Sequence, residues 1–119
     1  MTNDVTVIGN TITIIYNDEM IIRSIKDILY CKTFGRNSHI YFEYEKPITA
    51  PIGIKSLSEM LPIECFDLCH VKYIIHFNII RHSIIKGDTI YYEKLTFPIA
   101  RGRYDKFIDG VIAYFNAGN

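Results

Sequence analysis

The chain lacks the marks of a membrane protein and those of an enzyme. No apolar run approaches the roughly 18 residues that a membrane span needs, and the first residues carry Asp4 where a signal peptide would carry a basic patch. The sequence contains no nucleophile elbow, no glycine-rich phosphate loop and no paired H-x-x-x-H motif. These absences predict a cytoplasmic protein that is not an enzyme and uses no cofactor.

Cysteine is scarce, and the three residues present form no recognisable metal motif. Cys31, Cys65 and Cys69 are odd in number and lie in or beside apolar runs, which is typical of small core residues in a reducing compartment. His70 follows Cys69, but no second paired cluster accompanies them. Strand alternation places Cys65 and Cys69 on the same face as Asp67, without an obvious ligand set. We therefore expect no metal site.

An excess of charge is also absent. Thirteen Lys and Arg residues balance 13 Asp and Glu residues, and the sequence pI is near 6.9, which is unusual for a nucleic-acid-binding protein. The basic residues are nevertheless unevenly placed. Five of them fall in three polar interruptions of the apolar pattern: Lys32, Arg36, Lys72, Arg101 and Arg103. Because local charge sets the field at a groove, a neutral chain can still present a positive surface.

Short alternating segments predict a mainly β protein. With 119 residues, 49% of them hydrophobic, the chain should form a single domain over residues 1–119. Residues 6–16 predict a hairpin with a Gly9-Asn10 turn. Further strands are predicted over residues 20–25, 28–33, 38–45, 73–77, 79–85, 89–93 and 95–99, with a turn at 86–88 and a brief strand or bulge at 52–54. In the strand 38–45, alternation places Ile40, Phe42 and Tyr44 on one face.

Two short helices complete the predicted elements. Ser56 and Glu59 have the spacing of a capping box, and Pro62 would end the helix that they begin. A closing helix is predicted over residues 105–115. Its apolar face would contain Phe107, Val111, Ile112 and Phe115.

The most informative segment is residues 65–80, in which a polar His-Val-Lys step interrupts two apolar strand-like runs. Taken alone, it indicates a turn with His70 and Lys72 in solvent. Together with two other blocks, it resembles the LytTR-type DNA-binding domain, an output module of bacterial two-component response regulators. The matching positions, in the order of the family, are residues 28–30 and 35–38, residues 56–61 with Phe66 and His70, and residues 98–101 with Tyr104.

This resemblance implies a fold and a mode of binding. The fold would be elongated, stacked antiparallel sheets with one or two short helices, with a core over about residues 22–115 and residues 1–20 as an N-terminal hairpin extension. Three loops at one edge of the sheets would contact bases in the major groove of double-stranded DNA, and the protein would act as a sequence-specific transcriptional regulator. The family positions that contact DNA correspond here to Arg36, Asn37, Ser38, His70, Val71, Lys72, Arg101 and the neighbouring Arg103.

Three positions depart from the family pattern. Ala100 replaces a usual Ser, His76 replaces a usual Asn, and Val71 occupies a position that often carries Arg or Asn directed at DNA. Val71 could offer only an apolar contact, such as one to a thymine methyl group. We expect His70 to donate a ring N–H to a backbone carbonyl or a phosphate rather than to act as a general base.

Three functions remain open at this point. The first is a stand-alone DNA-binding regulator, since no receiver domain precedes the resemblance, with a homodimer on DNA as one arrangement. The second is a module of the same fold that binds a regulatory protein partner and has lost specific DNA binding. The third, a small enzyme or metal-binding domain, rests only on the number of His and Cys residues.

Overall fold

Short antiparallel strands form most of this structure, a computed structural model that describes all 119 residues. The strands are β1 (Asp4–Ile8), β2 (Thr11–Tyr16), β3 (Glu19–Ser24), β4 (Ile28–Phe34), β5 (Asn37–Phe42), β6 (Ile48–Ala50), β7 (Phe66–His70), β8 (Tyr73–His76), β9 (Ser83–Lys86), β10 (Thr89–Tyr92) and β11 (Leu95–Pro98). The helices are α1 (Ile54–Met60) and α2 (Tyr104–Asn116). No helix combines the length and the apolar character that crossing a bilayer requires.

The strands form three sheets, and every pairing is antiparallel. A central sheet has the order β6-β5-β4-β8-β7, and it lies between a sheet of β1-β2-β3 and a sheet of β11-β10-β9. The molecule is elongated, with principal extents of 43 × 30 × 26 Å. The predicted mainly β fold of stacked antiparallel sheets is therefore confirmed.

Two cores form because successive residues of a strand point to opposite faces of the sheet. On β8 of the central sheet, Ile74 belongs to the first core and Ile75 to the second, and both are fully buried. The first core lies against β1–β3 and α1, and Ile12 is buried in it. The second core lies against β9–β11 and α2, and Phe107 is buried in it. The first 20 residues, predicted as an extension, thus contribute side chains to the first core.

Two predicted strands differ from the structure. Residues 79–85 were predicted as one strand, but a 3₁₀ helix covers Phe77–His82 before β9 begins. His76 Nδ1 accepts a hydrogen bond from the Asn78 backbone N–H at 2.9 Å and so caps this helix. The brief strand predicted at residues 52–54 lies instead at Ile48–Ala50, where pairing with β5 buries Ile48.

Three side-chain predictions are also wrong. The helix α1 begins at Ile54 with Gly53 as its N-cap, so Ser56 lies inside the helix and does not cap it. Ile112 is 53% exposed, because the buried face of α2 uses Ile108 and Tyr114 in its place. Tyr44 follows the end of β5 with a φ of +63°, which turns it into solvent rather than onto the face of Ile40.

A candidate nucleic-acid-binding edge

The first predicted loop is the tight hairpin between β4 and β5. Gly35 occupies the first of its two turn positions with a φ of +60°, a conformation that glycine adopts without strain. Arg36 occupies the second position and is exposed. Asn37 pairs with Phe34 as the first residue of β5 and is partly exposed. Arg36 and Asn37 can therefore both reach a ligand at the tip of this hairpin.

The second predicted loop joins β7 to β8. Val71 and Lys72 form its tip, and Val71 is 69% exposed. The partly exposed His70 accepts a hydrogen bond at Nδ1 from the Lys72 backbone N–H, at 3.2 Å. The imidazole thus braces the turn as an acceptor at Nδ1, whereas the sequence predicted a ring N–H that donates to a backbone carbonyl or a phosphate. This geometry leaves Nε2 for a ligand such as a phosphate oxygen.

The third predicted loop follows β11. Arg101, Gly102 and Arg103 form a 3₁₀ turn, and α2 begins directly after it at Tyr104. The Ala100 backbone N–H donates to the Cys69 carbonyl oxygen at 2.8 Å, which fixes the start of this loop beside β7. The side chain of Arg101 is exposed.

Backbone hydrogen bonds hold the three loops at one edge of the molecule. The Thr33 N–H donates to the Lys72 carbonyl oxygen at 3.0 Å and so joins the first hairpin to the second turn. The bond from Ala100 to Cys69 joins the third loop to the same pair of strands. We call the surface formed by residues 35–37, 70–72 and 100–102 the loop edge. The structure thus brings together six of the eight predicted side chains: Arg36, Asn37, His70, Val71, Lys72 and Arg101.

Ser38 is not part of this surface, contrary to its predicted contact with DNA. Its side chain is fully buried, and its hydroxyl donates to the Ile52 carbonyl oxygen at 2.7 Å. Strand alternation explains the difference, since Asn37 and Ser38 point to opposite faces of β5. Ser38 instead holds the segment that leads into α1, where Gly53 lies close to the Arg36 carbonyl.

The Arg103 side chain lines a different surface from the other predicted residues, although its backbone N–H donates to the Ala100 carbonyl oxygen at 2.9 Å. It is partly buried and lines a cleft between α1, β7 and α2 together with Lys55, Asp67 and Lys106. Burial raises the pKa of Asp67, while Arg103 and Lys106 act to lower it. One carboxylate oxygen of Asp67 is buried without a hydrogen-bond partner. No sequence pattern indicated Lys55 or Lys106, because only the packing of both helices against β7 places them beside Arg103.

The three loops of the loop edge carry only basic charges. Residues 28–42, 68–87 and 94–104 contain no Asp or Glu, although they contain Lys32, Arg36, Lys72 and Arg101. These stretches supply all three loops and the strands that present them, apart from the start of β7, which carries Asp67. A chain of zero net charge therefore concentrates basic residues at this edge, although Asp88 lies beside the third loop, where its backbone carbonyl oxygen accepts from the Ile99 N–H at 2.7 Å.

The cysteines lie in the cores. A register shift between Asp67 and His70 breaks the alternation of β7, so Cys65 packs against the first core and Cys69 against the second, not on one face as predicted. Burial raises the pKa of the Cys69 thiol to about 12 and also raises the pKa of Cys31. No group of three or more His, Cys, Asp or Glu side chains is arranged to hold a metal ion.

Comparison with solved structures places this architecture among known folds. The chain is similar to the LytTr DNA-binding domain of a protein described as a methyl-accepting/DNA response regulator from Bacillus cereus. The TM-score is 0.69 at 17% sequence identity, and the match covers 87% of this chain and 97% of that domain. In sequence, neither a protein-family model nor a curated protein matches the chain. The structural match confirms the predicted resemblance at the level of the fold: this protein has the fold of a LytTr domain.

Proposed function

We propose that this protein is a cytoplasmic, bacterial-type transcriptional regulator that binds double-stranded DNA in a sequence-specific manner through its loop edge. One observation carries the proposal: three loops from distant parts of the chain meet at one edge, and the loops themselves contain basic residues but no acidic ones. Phosphates attract such a surface, and exposed loops can enter a major groove. The similar Bacillus cereus domain, described as DNA-binding, supports the same function.

Each exposed residue of the loop edge has a chemistry that suits DNA. Arg101 can form paired hydrogen bonds with guanine O6 and N7, and Asn37 can do so with adenine N6 and N7. Lys72 and Arg36 can neutralise phosphates. Val71 offers an apolar contact that suits a thymine methyl group. Base discrimination would therefore rest on the first and third loops.

An Arg101→Ala variant tests the assignment of base recognition. We expect specific binding to weaken by about 1–3 kcal/mol and discrimination to relax at one base pair. Arg81→Ala is the matched control, because Arg81 lies over the Phe115 ring, 5.0 Å from its centroid, near the opposite end of α2. Unchanged affinity for Arg101→Ala, or an equal loss for Arg81→Ala, would remove Arg101 from the proposed interface.

Lys72→Ala and Arg36→Ala test the phosphate contacts. Each variant should weaken binding to all duplex sequences alike and reduce the slope of log affinity against log salt by about one. A loss confined to one sequence would instead identify the residue as a base reader. A His70→Gln variant, whose amide offers an acceptor for the turn and a donor for a phosphate, should retain most of the binding if His70 braces the turn and orients a phosphate.

A protein-binding role is the second candidate, and one surface favours it. The outer face of the β9–β11 sheet exposes Ile84 and Tyr91 side by side, with 70% and 45% of their surface accessible. Such a pair can contribute to an interface with another protein. Measurement of DNA retention against salt separates the two candidates, because phosphate contacts make affinity fall steeply with salt.

A further inference from the structure

A set of aromatic side chains lies beside the loop edge and has no role in the proposed duplex contacts. Phe34 stacks on His39 with ring centroids 3.9 Å apart and an angle of 20° between the planes. Tyr41 lies two residues after His39 on the same face of β5, and Tyr73 lies on β8. We call Phe34, His39, Tyr41 and Tyr73 the aromatic strip.

Strand register places the strip on one face of the central sheet, around a lysine. Lys32 on β4 pairs with His39 on one side and with Tyr73 on the other. Paired residues of neighbouring strands point to the same face, so the three side chains form a row across three strands, spaced about 4.8 Å apart. Lys32 is exposed, whereas His39 and Tyr73 are partly exposed.

The strip is anchored at one end and open at the other. Tyr41 stacks on the buried Tyr30 at 4.2 Å, and Tyr73 packs edge-on against Phe97 of the second core at 5.3 Å. Phe34, beyond the edge of that core, keeps 53% of its surface exposed. The rings are therefore held in place by the core, while Phe34 remains accessible to a ligand.

The chemistry of this surface suits unpaired nucleic-acid bases. Bases stack on aromatic side chains with little dependence on sequence, and a neighbouring lysine can neutralise the phosphates that connect them. A duplex offers no such faces, since its bases are stacked on one another and present only their edges in the grooves. No acidic residue lies in residues 28–42, which carry Lys32, Phe34, His39 and Tyr41.

We propose that the aromatic strip and Lys32 form a second binding site, for single-stranded nucleic acid, on which at least one base stacks against Phe34. The site uses a face of the sheet, whereas the proposed duplex contacts use the loop tips. The two sites can therefore be tested separately, and neither proposal rests on the other.

The test measures binding of two fluorescent oligonucleotides in separate arms, an oligothymidylate and an oligouridylate. Each has about 12 nucleotides, a length within the range of known single-strand sites. At low salt the wild-type protein should bind at least one of them. Phe34→Ala should weaken that binding by a factor between about 5 and 100, the range expected for loss of one stacked base. Lys32→Ala should make the affinity for the oligonucleotide less dependent on salt concentration. Tyr91→Ala, which removes an exposed ring from another sheet, is the matched control and should bind like the wild type.

Several outcomes would overturn this proposal. If the wild type binds neither oligonucleotide, or if Phe34→Ala binds as tightly as the wild type, no base stacks on the strip. If Tyr91→Ala lowered the affinity for the oligonucleotide as much as Phe34→Ala does, the loss would not be specific to the aromatic strip. Arg101→Ala serves as the cross-check, since it should keep single-strand binding while weakening specific duplex binding. Single-strand binding by a wild type that fails to bind any duplex would support this site and refute the proposed regulator.

Discussion

Replacing Ser38 with Ala separates a structural role for this residue from a role in DNA contact. Ser38 lies within the segment whose family positions contact DNA, but its side chain is fully buried and its hydroxyl donates to the Ile52 carbonyl oxygen at 2.7 Å. The substitution removes the donor and leaves the partly buried Ile52 carbonyl without this hydrogen bond. We therefore expect Ser38→Ala to lower stability and to leave DNA affinity unchanged.

The expected loss follows from the burial of the bond. Loss of the donor to a partly buried acceptor costs about 1 kcal/mol, because water replaces the missing partner only in part. Ser58→Ala is the matched control, since the Ser58 hydroxyl makes a similar bond to the Lys55 carbonyl oxygen, at 2.6 Å, in an exposed turn of α1. That control should change stability by no more than about 0.5 kcal/mol, because water replaces the bond and alanine favours the helix.

The assay is urea unfolding followed by circular dichroism, combined with duplex binding under conditions in which both variants are folded. Ser38→Ala should unfold at a lower urea concentration with an unchanged m-value, and its affinity for duplex DNA should stay within about twofold of the wild type. Unchanged stability combined with lost DNA binding would refute this reasoning and restore Ser38 as a direct contact.

Three further substitutions test the interior of the protein. Burial lowers the pKa of His76 to about 4, so the free energy of unfolding should be greatest above about pH 6.5 and should fall by about 2 kcal/mol between pH 6.5 and 4. Unfolding measured against pH should show a smaller fall in His76→Gln, and an equal fall would contradict this role of His76. In Gly110→Ala the new Cβ would lie 2.8 Å from the buried Phe77 ring. Thermal unfolding should therefore show that stability is lower by about 1–3 kcal/mol despite the gain in helix propensity, and a stabilised variant would refute this packing. Asp67→Asn removes a carboxylate whose pKa is raised by burial. Because the ionised form of such a group disfavours the folded state once the pH is above its pKa, the variant should be the more stable protein at pH 7 in urea unfolding, and a less stable variant would contradict the account.

The sequence predicted those parts of the fold that depend on local pattern. Alternation identified the hairpin of β1 and β2 and the strands β3, β4, β10 and β11, because burial on one face of a strand has a period of two residues. It failed at residues 79–85, where an apolar run of similar length forms a 3₁₀ helix that His76 caps. Periodicity alone does not distinguish such a run from a buried strand.

The candidate site could be predicted only in part, because local patterns locate loops but not the contacts between distant segments. Turn chemistry and the family resemblance located Arg36, Lys72 and Arg101 in three loops, which the structure brings to one edge. The burial of Ser38 depends on the segment around Ile52, and the position of Arg103 depends on the packing of α2 against β7. Alternation on β5 already places Ser38 on the buried face with Ile40 and Phe42, but its bond to Ile52 and the cleft around Arg103 are tertiary contacts that no local pattern encodes.

Selection of bound sequences from a random pool of duplex DNA, with sequencing of the retained fraction, tests the central claim most directly. The wild-type protein should enrich a defined motif, and Arg101→Ala should lose selectivity at one position of that motif, a guanine, while retaining the others. Retention of the pool without enrichment of any motif, or no retention at low salt, would contradict sequence-specific recognition by the loop edge.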